Sequence, residues 1–562
     1  MLAMERPELA ADSKYRAYVS SVEKTLKLFE DPNEWADLIA ALGKLCKVLH
    51  TFSKFKTVPR CIIVSKRLSQ CLHPSLPSGV HLKALECYRK IFDILGVDGL
   101  ACQLNLFSAG LYPLMLNASI TVKKALFDIY EKYFIALGAQ LKPGLSGFLC
   151  GVLPAAEEGS EFFERSLNML SQVCDAVGAE EFYSALWNCV IFSSQTRLPA
   201  LTYVLAKFDR RLTFTDQKFI MGHNLEEMVE ALCCAAKDGS PLVQRHLLDF
   251  LSAAMPLDST FCDERHLRRI LGFSIFILLK RDVSLNRRLY TWVLGKQKVE
   301  PNCDLAFFRD VTFSMLTEAL KEMLNSASLI SECVKILRLL TFLQDKPAVG
   351  RPVLERLLFP SLRVIMAMND ADDRLCSSQG SAATGELLKS LSILLDTLEP
   401  GFLWTYLQQR LSGVGHQFST TSTLPDPDCE LQIVELCNMQ LFFLRDCTLM
   451  PCTSVSLQRF ANLISSYLSL IVERAEAMIL VPQAFESLVE VVIAVCRYVN
   501  ESKISPDCMS NEADQRSLLG STSESKRIVF PAMQASGRTI FVSLLKVGLR
   551  TFGICFRISR WS

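Results

Sequence analysis

Residues 54–67 read KFKTVPRCIIVSKR and carry Lys54, Lys56, Arg60, Lys66 and Arg67 without a single acid. A second span, Arg265 to Lys298, holds Arg268, Arg269, Lys280, Arg281, Arg287, Arg288 and Lys296 against one acid, Asp282. Such clusters can recognise anions electrostatically, either lipid headgroups or an acidic partner. A solvated helix face is the competing reading of both, and it weighs more on the second cluster, where Arg287 also falls at a repeat position. Aromatic residues do not alternate with these bases, which argues against nucleic-acid stacking, and the net charge of +1 gives no global attraction to polyanions.

Covalent and metal chemistry find no comparable footing. The chain lacks the phosphate-loop, dinucleotide, nucleophile-elbow and H-E-x-x-H patterns. Gly144, Gly147 and Gly151 in GLSGFLCG do not have dinucleotide spacing, and close helix packing explains them better. The seven histidines are scattered, with none at a zinc spacing. His73 and His81 flank a proline turn and read as capping or exposed residues. Asp370 to Asp373 lack the glycine and closing glutamate of a calcium loop and read as solvated loop. No catalytic residue, metal or cofactor is expected. The 21 cysteines form no C-x-x-C pair and sit mostly in apolar stripes, which suits a reducing compartment and free thiols. The sequons at Asn117 and Asn500 would then go unused.

Whatever these charges do, they are carried by helices. In CLHPSLPSGVHLKALECYRKIFDILG, Pro74 and Pro77 stop any helix arriving from upstream, and Ser78 is placed to cap the next. Ala84, Leu85, Tyr88, Ile91, Phe92 and Leu95 form one apolar stripe. Glu86 and Lys90 are ordered for an i,i+4 pair, and Gly96 closes the helix. This break and restart recurs. Lys124 follows Lys83 by 41 residues, and Arg165 follows by 41 more. Asp238 and Arg245 in KDGSPLVQRHLLDFL correspond to Asp282 and Arg287 in RDVSLNRRLYTWVLG, with Lys335 about one period further on. Arg197 breaks the even spacing.

A period near 41 residues lies in the HEAT and armadillo range, each repeat a small group of helices that must stack to bury its stripe. The expected fold class is all-α, a HEAT/armadillo-like helical-repeat solenoid, since 562 residues exceed one compact core. Helices are expected over Ser78–Leu95, Val122–Leu137 and Leu242–Leu251. Residues 60–66, RCIIVSK, fit either a strand or the start of a helix. In the repeats, Lys83, Lys124, Asp238, Arg245, Asp282 and Arg287 are expected to form a ladder, acid to base between neighbours. Polar segments at 368–386, 412–430 and 500–527 read as loops or linkers. No run of about 18 uncharged apolar residues is present, and the N-terminus has no signal-peptide core.

The text KYRAYVSSVEKTLKLFEDPNEWADLIAALGKLCKVL followed by LPSGVHLKALECYRKIFDILG closely resembles the N-terminal region of the Dopey family. LYPLM, YEKYF, EEGSEFFER, LVQR and LKRDVSLNRRLYTWVLG continue the match, from Tyr15 to about Gly295. The resemblance implies a large cytosolic helical-repeat protein bound peripherally to Golgi and endosomal membranes. It also implies a non-enzymatic role in endosome-to-Golgi traffic, with a large scaffold related to Arf exchange factors and an aminophospholipid flippase as partners. The expected division is 10–300 as the Dopey N-terminal repeat region, 301–411 as continuing repeats and 412–430 as a flexible linker. Repeats resume over 431–500, then come a disordered linker over 501–527 and a terminal helical segment over 528–562. Family members are several-fold longer, so the chain is expected to be a fragment or a truncated form.

Overall fold

The computed structural model describes residues 11–445, with gaps at 31–33, 260, 296–304, 376–379, 400–401 and 418–426, together with 487, 488 and 490–494. Among the described residues every regular element is a helix. The chain divides into two units between Leu316 and Thr317.

The first unit opens with α1 (Ser13–Leu26), α2 (Trp35–Thr51), α3 (Cys61–Gln70) and α4 (Ser78–Cys102), then the short α5 (Leu104–Ser108) and α6 (Leu114–Asn117). It continues with α7 (Ile120–Ile129), α8 (Leu145–Val152), α9 (Phe163–Val177), α10 (Ala179–Phe192) and α11 (Ser194–Lys207). Four more follow: α12 (Leu225–Ala236), α13 (Pro241–Ala254), α14 (Glu264–Ser274) and α15 (Val283–Val293). The second unit carries most of α16 (Phe313–Ser326), then α17 (Ile330–Leu343), α18 (Pro347–Leu375), α19 (Gly380–Asp396), α20 (Phe402–Gln417) and α21 (Pro427–Arg445).

Local chemistry sets many of these boundaries. Asp12, Asn224 and Asp282 each accept a hydrogen bond from a backbone N–H in the first turn of the helix they precede, satisfying a donor that has no partner within the helix. Pro241 stands at the first position of α13, where its missing N–H costs nothing. At α4 the cap is one residue earlier than the sequence suggests: Pro77 holds the cap position and Ser78 is already helical, with no side-chain cap bond. Gly96 adopts a φ of +64° and interrupts α4, as expected of a closing glycine, but helix resumes at once to Cys102. RCIIVSK resolves as helix in α3.

The stripes pack in two series. In one, α8, α10, α12 and α14 lie successively against one another; in the other, α11, α13 and α15 do so. Helices α10 and α12 also pack on α11 and α13 respectively, closing each pair. This is the helical-repeat solenoid expected from the 41-residue period. Trp187 of α10 donates to the carbonyl of Ile220, and Trp292 of α15 to that of Met255, both at 2.8 Å, so each buried indole is satisfied from an adjoining turn. Earlier in the unit an aromatic cluster of Tyr88, Phe92, Phe107, Tyr112, Tyr130, Phe134 and Phe148 fills the interior with tilted and edge-on pairs. The glycines of GLSGFLCG serve that packing: a Cβ on Gly147 would stand 2.7 Å from the ring of Tyr112.

The helix expected over Val122–Leu137 changes character along its length. After α7 the chain widens to a π-turn over Tyr130–Phe134, then tightens to a 3₁₀ segment broken at Gly138. Residues 368–386, expected as a loop, are helical on both sides of a short gap, in α18 to Leu375 and α19 from Gly380, so Asp370–Asp373 are helical too. Within 412–430, α20 continues to Gln417 and α21 starts at Pro427, so only 418–426 lie outside the described residues. The expected linker over 501–527 and helical segment over 528–562 also lie outside the described residues.

Candidate interaction surface

Cations on the repeats divide by whether a carboxylate from a neighbouring repeat reaches them. Arg89 of α4 meets Asp128 of α7 at 3.1 Å. Arg165 of α9 takes the same Asp128 at 2.8 Å and Glu131 at 2.7 Å. Lys132 reaches back to Asp93 at 3.0 Å, and Tyr133 donates to the same carboxylate at 2.7 Å. Burial works against ionisation of Asp93, but these two hydrogen bonds, with the positive charges of Lys132 and Lys90, together outweigh it and hold the carboxyl below its ordinary value. Further on, Arg269 of α14 is bound by Glu226 and Glu230 of α12, and Arg288 of α15 by Asp249 of α13 at 2.8 Å. The partners lie 34 to 43 residues apart, so the pairs join consecutive repeats.

Arg197 makes the most enclosed of these pairs. It meets Asp238 at 2.8 Å, with the two side chains only 19% and 10% exposed. It also donates to the carbonyls of Val190 and Ile191, which closes the turn before its own helix. Its departure from even spacing in the sequence conceals this role.

The residues read from the sequence as a ladder fall differently. Asp238 spans repeats, but toward Arg197 rather than toward a base of the expected set. Lys83 pairs with Glu86 of its own helix at 2.6 Å, which also takes Glu86 from the expected partner Lys90. Asp282 caps its own helix through the N–H of Leu285. Lys124, Arg245 and Arg287 are exposed and have no ion pair among the described residues. The physical reason is register. Neighbouring helix positions point about 100° apart, so Arg288 reaches the adjacent helix while Arg287 faces solvent.

The two basic clusters separate along the same line. In the second, Arg269 and Arg288 are held by carboxylates, and Lys280 donates to the carbonyls of Asp238 and Gly239 at 2.9 and 2.7 Å. Arg268 and Arg281 are also engaged, and Lys296 lies outside the described residues. In the first cluster, Arg60 binds Glu23 of α1 at 2.9 Å and Arg67 approaches Glu30 at 3.8 Å. Lys54 lies over the ring of Phe55. Lys54, Lys56 and Lys66 are exposed, and none has an ion pair among the described residues. Lys56 and Arg60 both take left-handed backbone, φ 49° and 53°, so the chain between α2 and α3 is tightly bent where these charges emerge.

Among the described residues no group of three or more His, Cys, Asp or Glu side chains could hold a metal ion, and no helix is long and apolar enough to cross a membrane. The described cysteines, Cys46, Cys71, Cys87, Cys189 and Cys233 among them, are free thiols. Burial pushes Cys71 up to about 11 and Cys233 up to about 12, which keeps both protonated and unreactive near neutrality. An open cleft of 420 Å³ in the second unit is lined by Arg351, Glu355, Phe402 and Tyr406. Arg351 is taken up there by Glu355 and Glu399.

Stacked helical pairs, joined by ion pairs from repeat to repeat and leaving a separate set of cations in solvent, define a helical-repeat protein. Comparison with known proteins supplies the family. Residues 12–298 match the family model described as "Dopey, N-terminal" and residues 307–442 the one described as "DOP1 middle TPR domain". The chain belongs to the Dopey family. It is 40% identical to "Protein pad-1" of Caenorhabditis elegans, over 70% of this chain and 20% of that protein. It is 39% identical to "Protein DOP1 homolog" of Drosophila melanogaster, over 72% of this chain and 16% of the relative. With "Protein DOP1B" of Mus musculus the identity is 36%, covering 84% and 22%. The chain thus spans about a fifth of the length of the relatives it matches.

Proposed function

We propose that this chain acts as a non-enzymatic scaffold in membrane traffic between endosomes and the Golgi, presenting its solenoid surface to trafficking partners. By family resemblance these partners are a large scaffold related to Arf exchange factors and an aminophospholipid flippase. The chain would work from the cytoplasm, held peripherally on Golgi and endosomal membranes. The observation that carries this reading is the match to the Dopey N-terminal model across 12–298. A stack of repeats supports it physically, because such an architecture exposes a long continuous surface for docking. The test is affinity capture from cells together with retrieval of an endosome-to-Golgi cargo after depletion and re-expression. Enrichment of both partners and restored retrieval are expected; normal retrieval without the protein would refute the reading.

A second reading, a direct anionic-lipid-binding module, draws on Lys54, Lys56 and Lys66, which stand in solvent without ion pairs among the described residues. Arg60 and Arg67 contribute less to it, since Arg60 is drawn toward Glu23 of α1 and Arg67 toward Glu30 in the turn after it. Vesicle pull-downs across salt concentrations separate the two readings: lipid binding through these lysines weakens steeply with salt.

A further inference from the structure

Three bulky apolar side chains stand in solvent where successive helices of one series begin. Phe192, at the end of α10 and two residues before α11, is 84% exposed. Leu242, second in α13, is 52% exposed, and Val283, first in α15, is 83% exposed. The three turns are tied together. Arg197 in the first turn of α11 holds Asp238 in the turn before α13, and Lys280 in the turn before α15 donates to the carbonyls of Asp238 and Gly239. The helix starts therefore line one edge of the repeat stack, and the apolar residues project from it.

Cations follow one helical turn behind. Arg245 lies three residues after Leu242 and Arg287 four after Val283, spacings that put each pair on one helix face. Both arginines are exposed and neither has an ion pair among the described residues. Two acids at these turns are already engaged, Asp238 by Arg197 and the N–H of Ser240, Asp282 by the N–H of Leu285, and the exposed Glu158 lies 3.9 Å from His246. An earlier helix repeats the pattern, with Ile120 63% exposed at the start of α7 and Lys124 exposed four residues on.

We propose that the edge bearing Phe192, Leu242 and Val283, with Arg245 and Arg287 behind it, is a membrane-contacting edge that sets its apolar tips into the interfacial layer of an anionic bilayer. A groove for a peptide would enclose its apolar residues, whereas Phe192 and Val283 are covered by almost nothing. Projecting apolar tips backed by free cations match a planar surface with an apolar interior and negative headgroups. The edge uses none of residues 54–67, and it goes beyond the scaffold reading without requiring it.

The test uses the full purified chain with phosphatidylcholine vesicles, with and without phosphatidylserine. Wild type should bind only the anionic vesicles, less so at high salt. The pair Phe192→Ser and Val283→Ser should weaken binding about tenfold, and the pair Arg245→Glu and Arg287→Glu by at least about tenfold, both with unchanged circular dichroism and melting. Should either pair disturb folding, Phe192→Trp decides: brominated acyl chains should quench the added indole beyond the quenching of wild type. Absent vesicle binding, unaltered binding by folded variants, or no added quenching would overturn the proposal. So would wild type that ignores vesicles yet captures a synthetic acidic amphipathic peptide through these residues, because the occupant would then be a protein. None of these results bears on cargo retrieval in cells, which tests the scaffold reading separately.

Discussion

Residues 54–67 and 265–288 look alike as text, each dense in lysine and arginine and nearly free of acid, yet the fold uses them differently. In the later span three cations are drawn into the repeat stack, Arg269 to Glu226 and Glu230, Arg288 to Asp249 and Lys280 to two carbonyls, while Arg287 stays in solvent. In the earlier span Lys54, Lys56 and Lys66 remain in solvent. Density of charge therefore says little about its work. What decides is whether a helix from the next repeat brings a carboxylate within reach.

The largest effect should follow from breaking the most enclosed pair. Arg197→Ala leaves Asp238 almost fully covered without its base, and such a loss costs about 3 kcal/mol. Chemical denaturation should show it, and Asp238→Ala should cost nearly as much. A packing change in the same unit should come next. Gly147→Val must push its side chain into the ring of Tyr112, costing about 2 kcal/mol and measurable in the same way. Smaller again is the contrast between adjacent residues. Arg288→Ala should cost about 1 kcal/mol, because its pair is only partly shielded, while Arg287→Ala should stay within about 0.5 kcal/mol of wild type. Equal losses at 287 and 288 would break the distinction between paired and free cations.

That contrast also marks how far the sequence could be read. Apolar stripes locate the buried face of each helix, which is why α4 and α13 fall where their periodicity places them, while α7 keeps the stripe but gives way to a π-turn after Ile129. A stripe is flanked by more than one cation, and nothing in one sequence tells which flank meets the neighbouring helix; Arg287 and Arg288 differ by one position. Arg197 is hidden for another reason, since it breaks the even spacing and its partner Asp238 stands in a turn rather than on a helix. Residues 368–386 read as loop because they are polar, but polarity reports exposure rather than conformation, and an exposed helix end is polar too. The projecting residues Phe192 and Val283 were illegible for the converse reason: an apolar residue near a helix start looks like core until the packing is known.

The smallest expected effect concerns acid. Asp93 has a depressed folded value, so its contribution to stability is present above the ordinary carboxylate range and is lost as pH falls through the folded value. The denaturation midpoint should therefore fall as pH drops below about 4. Tyr133→Phe, which removes one of the bonds to Asp93, should make that fall shallower.

The most direct test of paired against free cations compares two triple variants of the same chain. One changes Lys54, Lys56 and Lys66 to Glu, the other Arg197, Arg269 and Arg288 to Glu. Melting should be nearly unchanged in the first and strongly lowered in the second. Comparable losses of melting in both would contradict the account, because the exposed lysines would then be holding the repeats together.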